Sequence, residues 1–258
     1  MRVFITGASS GIGAALARQY AARGATLALV ARRAPQLETL CQSLPAPASG
    51  EHRIYPLDVT AQGALGAAAE EFMAREGTPD VVIANAGIAS GPRTGAVSEV
   101  GEFERIIATN VLAMAYTFQP FIAPMRAREG ARLVGIGSVA GVRGLPGSQA
   151  YSASKAAVRT YCESLRVELY RSSIRVVTIA PGFIATAMTA GNPYPMPFLM
   201  PLDRFAARAV RLIDRGSSYA VLPWQMGVVA KLLAILPNPV YDWAFSRVSP
   251  RPRPNARR

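Results

Sequence analysis

The 258-residue chain has two cysteines, Cys41 and Cys162, and one histidine, His52. Two thiols cannot build a disulfide framework, and their scarcity points to a reducing, cytoplasmic compartment. Cys162 lies among apolar residues of a helical stretch and reads as a packing residue. His52 precedes a strand with no second His or Cys nearby, so no metal site is expected. No signal peptide is expected, because MRVFITGAS runs directly into a strand-like segment. Near the C-terminus the apolar run within 224–245 is interrupted by Lys231 and Pro237. Its unbroken part falls well short of the ~20 residues a spanning helix needs. No repeat or linker divides the chain. The net charge is +12, yet no basic run is interleaved with aromatics, so nucleic acid is not an expected partner.

What the chain does have is apolar residues, 50% of the total, enough for a sizeable core. They come in short continuous runs: RVFIT (2–6), TLALVA (26–31), RIYPL (53–57), VVIAN (81–85), ARLVGIGS (131–138), IRVVTIAP (174–181) and SYAVLP (218–223). Helical segments separate them, among them a long one over roughly 98–128 and another over about 149–171. Apolar strands alternating with helices predict a seven-stranded, mostly parallel sheet covered on both faces, in one α/β domain spanning 1–258.

Between the first strand and first helix lies TGASSGIG, Thr6 to Gly13. Glycine there permits positive φ and lets backbone N–H groups approach a pyrophosphate at a helix N-terminus. The spacing, TGxxxGxG, differs from the common GxGxxG fingerprint. Further along come Asn85-Ala86-Gly87 after the fourth strand, Asn110 in the long helix, and Ser138 after the fifth strand. Tyr151 with Lys155 opens the next helix, and Pro181-Gly182 follows the sixth strand. In this order and spacing the motifs make the chain resemble the short-chain dehydrogenase/reductase family, closely over roughly 1–190 and loosely beyond.

The resemblance implies a Rossmann-type doubly wound fold and hydride transfer between a nicotinamide cofactor and a carbonyl or alcohol carbon. It implies cofactor contacts from Gly7, Ser9, Ser10, Gly11, Ile12 and Gly13. Others come from Asn85, Ala86, Gly87, Tyr151, Lys155, Pro181, Gly182, Ile184 and Thr186. Asp58 and Val59 would meet the adenine, although Asp58 has a second reading as the cap of a helix starting near Thr60. In this reading Tyr151 is the acid/base and Ser138 orients the substrate oxygen. Lys155 binds the nicotinamide ribose and lowers the Tyr151 pKa, and Asn110 holds a water that links Lys155 to solvent. The chemistry is coherent, because a free Tyr titrates near 10 and an adjacent cation favours phenolate. A Tyr and a Lys four residues apart share one helix face.

NAD-specific folds place an acid at the end of the second strand to hold the ribose hydroxyls. That position here is Ala31, followed by Arg32 and Arg33. Guanidinium groups complement a 2′-phosphate, which favours NADP(H). Ser10 stands where some NADP-dependent relatives carry a further basic residue, which keeps NAD(H) open.

The Pro-, Met- and Phe-rich stretch within 189–215 reads as a lid over an apolar substrate, a carbonyl or secondary alcohol of lipid- or steroid-like character. Residues 224–258 form an apolar and then basic extension. Trp224, Tyr241 and Trp243 could rest on an anionic membrane surface or bury themselves in a homodimer or homotetramer interface. Rival functions are a cofactor-binding regulator or scaffold without turnover, an NAD-dependent alcohol dehydrogenase, and a dehydratase or epimerase using the same Tyr and Lys.

Overall fold

The computed structural model describes residues 1–89, 98–190 and 195–246. Part of the expected lid (191–194) and the terminal arginines therefore lie outside the described residues. Seven parallel strands form one sheet in the order β3-β2-β1-β4-β5-β6-β7. They are β1 (Arg2–Thr6), β2 (Thr26–Ala31), β3 (Arg53–Pro56), β4 (Val81–Ala84), β5 (Arg132–Ile136), β6 (Arg175–Pro181) and β7 (Tyr219–Leu222). Each lies within two residues of the segment expected from the sequence. The helices are α1 (Gly11–Ala21), α2 (Ala34–Ser43), α3 (Gln62–Glu76), α4 (Ser98–Ile107), α5 (Ala113–Met125) and α6 (Gln149–Glu168). After β6 come α7 (Ala187–Ala190), α8 (Leu202–Asp214), α9 (Trp224–Ile235) and α10 (Asn238–Phe245).

The strands sort their side chains by alternation. In β1, Val3 and Ile5 face one side and pack with Leu16 and Tyr20 of α1 and Phe205 and Ile213 of α8. Phe4 faces the other side with Phe72 of α3 and Phe118 and Phe121 of α5. Its ring centroid is 6.0 Å from that of Phe72 and 4.8 Å from that of Phe121. Because both faces are covered, β2 is buried at every residue and reads as an unbroken apolar run rather than an alternating one. Val100–Met125 is long and apolar enough to cross a bilayer by length and composition, yet its Phe118, Phe121 and Met125 are spent on this core.

The long helix expected over 98–128 is continuous, but it contains a π turn at Ala108–Leu112 between α4 and α5. One extra residue in a turn redirects the side chains around it. Asn110, in that turn, is only 1% exposed.

Candidate active site

β1 and β4 are neighbours whose chain connections leave in opposite directions along the sheet, β1 to β2 and β4 to β5. Such a switch point opens a crevice beyond the C-terminal strand ends. Two polar side chains staple its walls. The Thr6 hydroxyl accepts from the N–H groups of Asn85 at 3.1 Å and Ala86 at 3.3 Å. The Asn85 amide donates to the carbonyls of Thr6 at 3.0 Å and Gly7 at 3.2 Å. Gly7 has φ +68, and a Cβ there would come within 2.8 Å of the Ala86 Cα. A Cβ on Gly13 would overlap the Gly7 carbonyl oxygen. Only glycine fits either position.

α1 starts from this turn with no side chain capping it and no acid in its first turn. Its free N–H groups and positive dipole end suit a phosphate. Gly11 faces Thr186 across the cleft, with 3.8 Å between a Cβ built on it and the Thr186 methyl. Arg33 reaches back from the end of β2 and donates to Ser9 Oγ at 2.9 Å and Ser10 Oγ at 2.7 Å. A guanidinium thus stands against the turn position that lacks a basic residue of its own. Arg32 lies 3.7 Å from Asp58, both being well exposed, an arrangement that contributes little to stability. Asp58 accepts from the Thr60 N–H at 2.9 Å and hydroxyl at 2.8 Å. Those bonds hold its carboxyl below the usual carboxylate range, against the opposing effect of burial. They close a turn ahead of α3, which begins at Gln62, so Asp58 does not cap the helix itself. Val59 beside it is buried.

Tyr151 and Lys155 lie in the first two turns of α6. Lys155 is buried, its amine donates to the Ile136 carbonyl at 2.9 Å, and it sits 5.8 Å from the centre of the Tyr151 ring. Burial pushes its pKa down from 10.5 to about 8. Ser138 follows β5 and caps the 3₁₀ turn Val139–Gly141, its Oγ accepting from the Ala140 N–H at 3.1 Å. Gly141 packs so closely on α6 that a Cβ would come within 2.5 Å of the Lys155 carbonyl group. Ser138 and the Tyr151 helix are thereby held together.

The Asn110 side chain is fully engaged by the protein. Its amide donates to Ile88 O at 3.0 Å and to Ser154 Oγ at 2.9 Å, and its Oδ1 accepts from Ile88 N at 2.8 Å. The side chain ties the segment after Gly87 to α6. Ser154, which sequence reasoning missed, completes the tie by donating to the Tyr151 carbonyl at 2.7 Å. A small polar residue three positions from Tyr151 was the available signal. Gly87 keeps open a gap between Asn110 Oδ1, 3.3 Å from a Cβ built there, and Lys155 Nζ, 3.6 Å from it.

After β6, the Gly182 N–H donates to Leu222 O at 2.8 Å. A Cβ on Gly182 would lie 2.6 Å from Met226 Cγ, so α9 closes directly on Pro181-Gly182. Thr189, also missed, holds the turn after β6: it donates to Ile184 O at 2.6 Å and accepts from Thr186 N at 3.0 Å. A cavity of about 170 Å³ lies under Phe198 and Pro223, and one of about 870 Å³ lies between α6 and α10. Ser138, Tyr151 and Lys155 line neither.

Comparison with known proteins agrees with this architecture. Residues 1–194 match the family model for short chain dehydrogenases. An uncharacterized oxidoreductase of Myxococcus xanthus is 40% identical over 95% of this chain and 96% of its own length. An 11-beta-hydroxysteroid dehydrogenase-like protein of Arabidopsis thaliana is 34% identical over 86% of this chain and 73% of its own. An alcohol dehydrogenase of Thermococcus sibiricus, solved with 5-hydroxy-NADP, superposes with a TM-score of 0.73 at 29% identity. That likeness covers 86% of this chain and 95% of the other. The chain belongs to the short-chain dehydrogenase family, an oxidoreductase on a Rossmann-type α/β fold.

Proposed function

We propose that the protein is an NADP(H)-dependent oxidoreductase acting on the carbonyl or secondary alcohol of an apolar, lipid- or steroid-like substrate. The observation that carries this is the convergence of Ser138, Tyr151 and buried Lys155 beside a glycine-lined crevice. A nicotinamide dinucleotide held there supplies or accepts the hydride.

The crevice fits such a group, because Gly7 and Gly13 allow the turn and the start of α1 to pack directly on Asn85 and Ala86, which leaves the backbone N–H groups of the turn at the crevice wall. The uncapped start of α1 takes the pyrophosphate at Ser9, Ser10, Gly11, Ile12 and Gly13. Arg33, already bonded to Ser9 and Ser10, and Arg32 take the 2′-phosphate, as bidentate guanidinium groups do. Asp58 and Val59 meet the adenine. Asn85, Ala86, Gly87, Pro181, Gly182, Ile184 and Thr186 line the remainder.

The protein's own residues manage the proton. Ser138, whose oxygen already accepts the Ala140 N–H, donates its hydroxyl proton to the substrate oxygen. Tyr151 gives or takes the proton on that oxygen. Lys155 titrates near 8 and so remains mostly cationic at neutral pH. Its charge favours the phenolate form of Tyr151. Asn110 and Ser154 position α6, and the gap beside Gly87, between Asn110 Oδ1 and the Lys155 amine, is where Asn110 would hold a water that links the amine to solvent.

The apolar substrate class is supported by Met188, Phe198 and Leu199, all exposed around the cleft-side segment. The steroid-related name of one relative points the same way. Exposed Leu112, Val167 and Tyr170 support a homodimer or homotetramer, and the unpaired Cys41 and Cys162 suit a cytoplasmic location.

The test is Tyr151→Phe, assayed by NADPH oxidation over ketones of increasing chain length. Turnover is expected to fall by roughly 10²–10⁴-fold while NADPH still binds. Undiminished turnover would remove Tyr151 from the mechanism. Tight cofactor binding with no turnover of any ketone by the wild type would favour a regulatory role.

A further inference from the structure

α9 carries apolar residues on every side, but the fold buries only one of those sides. Met226 and Ala230 are buried against the sheet edge. On the opposite side Trp224, Val228, Leu232 and Ile235 are 65%, 48%, 58% and 78% exposed. Their spacing of four, four and three residues puts them on one stripe. Exposed Lys231 stands on the same stripe. α10 repeats the arrangement: Tyr241 is buried, while Val240 and Trp243 are 48% and 65% exposed.

The expectation that Tyr241 belongs to the outward set is corrected by its contacts. Its ring lies 4.1 Å under the Arg143 guanidinium and stacks at 4.3 Å on Phe245. Its hydroxyl donates to the Gly144 carbonyl. Tyr241 anchors the helix pair, and the two tryptophans face outward.

We propose that the outward faces of α9 and α10 dock on an anionic lipid bilayer, lying in the plane of its surface. Three observations select this occupant. First, residues 224–258 contain Lys231 and Arg247, Arg251, Arg253, Arg257 and Arg258, against one acid, Asp242. Pairing this face with a second copy about a two-fold axis would bring two such basic segments together, whereas an anionic surface complements both. Second, an apolar stripe bounded by tryptophans and followed by cations is the composition of interfacial helices, whose rings favour the headgroup level. Third, α9 has 12 residues, too few to span a bilayer and enough to lie on one.

The position has a consequence for the cleft. In a parallel sheet all C-terminal strand ends share one side, so α9, which starts just after β7, begins at the same end as Ser138. Met226 of α9 already contacts Gly182 there. A bilayer on this face lies beside the cleft that the proposed apolar substrate enters. The docking inference itself does not depend on that activity.

The chain's two tryptophans, Trp224 and Trp243, are both on this face, so its intrinsic fluorescence reports the contact directly. The full chain is mixed with vesicles of phosphatidylcholine alone, or of phosphatidylcholine with phosphatidylglycerol, and followed by emission and co-sedimentation. The expected result is a blue shift and sedimentation with the anionic vesicles, weakened by added salt. The double variant Leu232→Glu/Ile235→Glu changes exposed positions only, and its fold is verified by circular dichroism. It is expected to bind at least tenfold more weakly. Deleting 247–258 is expected to weaken binding and reduce its salt dependence. Unshifted emission with anionic vesicles overturns the proposal. So does equal binding to uncharged vesicles, or emission that is blue without lipid and reddens on dilution, which would assign the face to a second copy.

Discussion

Burial withdraws water from the Lys155 amine and leaves the Ile136 carbonyl as its partner at 2.9 Å. A protein selected for stability alone would place an apolar side chain there. The cost has a pH signature. The native amine titrates near 8 and the ordinary value is 10.5. Between these pH values the unfolded chain holds the proton that the native chain has released. Raising the pH through this window therefore favours the native state, and below about 8 the full penalty applies. Lys155→Met is expected to abolish turnover yet raise stability at pH 7, on the order of 1–3 kcal/mol after loss of the Ile136 bond. Its unfolding free energy, followed by denaturant titration from pH 7 to 10.5, should lack the rise that the wild type shows across 8–10.5. A variant less stable than wild type at pH 7 would show that the amine stabilises its site. The YxxxK spacing made the Tyr151–Lys155 pair legible in the sequence. Full burial of the amine was not legible, because it depends on Gly141 letting the loop after Ser138 settle onto α6.

Among the elements, the strands were readable to within two residues, since continuous apolar runs between glycine-rich turns have few other uses. The π turn at Ala108–Leu112 was not. Its sequence, ATNVL, holds no breaker, and the extra residue is retained because Asn110 finds three partners in Ile88 and Ser154. The C-terminal helix pair was recognised only as an apolar segment, because what holds it comes from a distant loop. Arg143 donates to Leu233 O at 2.8 Å, to Leu236 O, and to Asn238 Oδ1 at 2.6 Å. It therefore caps the end of α9, meets the start of α10 and covers Tyr241. Arg143 also lies between Ser138 and Tyr151 in the chain, so this latch ties the extension to the segment that joins those two residues. Arg143→Ala is expected to cost about 1–3 kcal/mol and to hasten proteolytic cleavage within 224–246. Arg143→Lys should restore little, because one ammonium cannot reproduce a planar fork that also stacks. Unchanged stability and cleavage in both variants would show that α9 and α10 are held by their apolar contacts alone.

At the scale of the whole molecule, the crevice is the place where the two halves of the sheet share few covalent connections. The Thr6 and Asn85 staples join β1 to β4 on the protein side, and a bound dinucleotide would bridge the phosphate turn to Thr186 on the other. A ligand that binds only the native state stabilises it by RT ln(1 + [L]/Kd), about 2.7 kcal/mol at a hundredfold excess over Kd. For a chain of this size each kcal/mol raises the unfolding midpoint by roughly 2–4 °C. NADPH and NADH at equal concentration should therefore separate by thermal shift alone, without a substrate. If Arg33, braced by Ser9 and Ser10, takes the 2′-phosphate, NADPH gives the larger shift. Arg33→Ala then loses most of that advantage while its response to NADH stays near wild type. The bracing matters to the size of the effect, since a guanidinium held in place before binding loses less entropy when the phosphate arrives. Ser10→Ala, which removes one of the two hydroxyls that brace Arg33 Nη2, is expected to lie between the two. Equal shifts for both cofactors, or a larger one for NADH, would overturn the NADP(H) assignment and leave Arg32 and Arg33 as a solvated strand end.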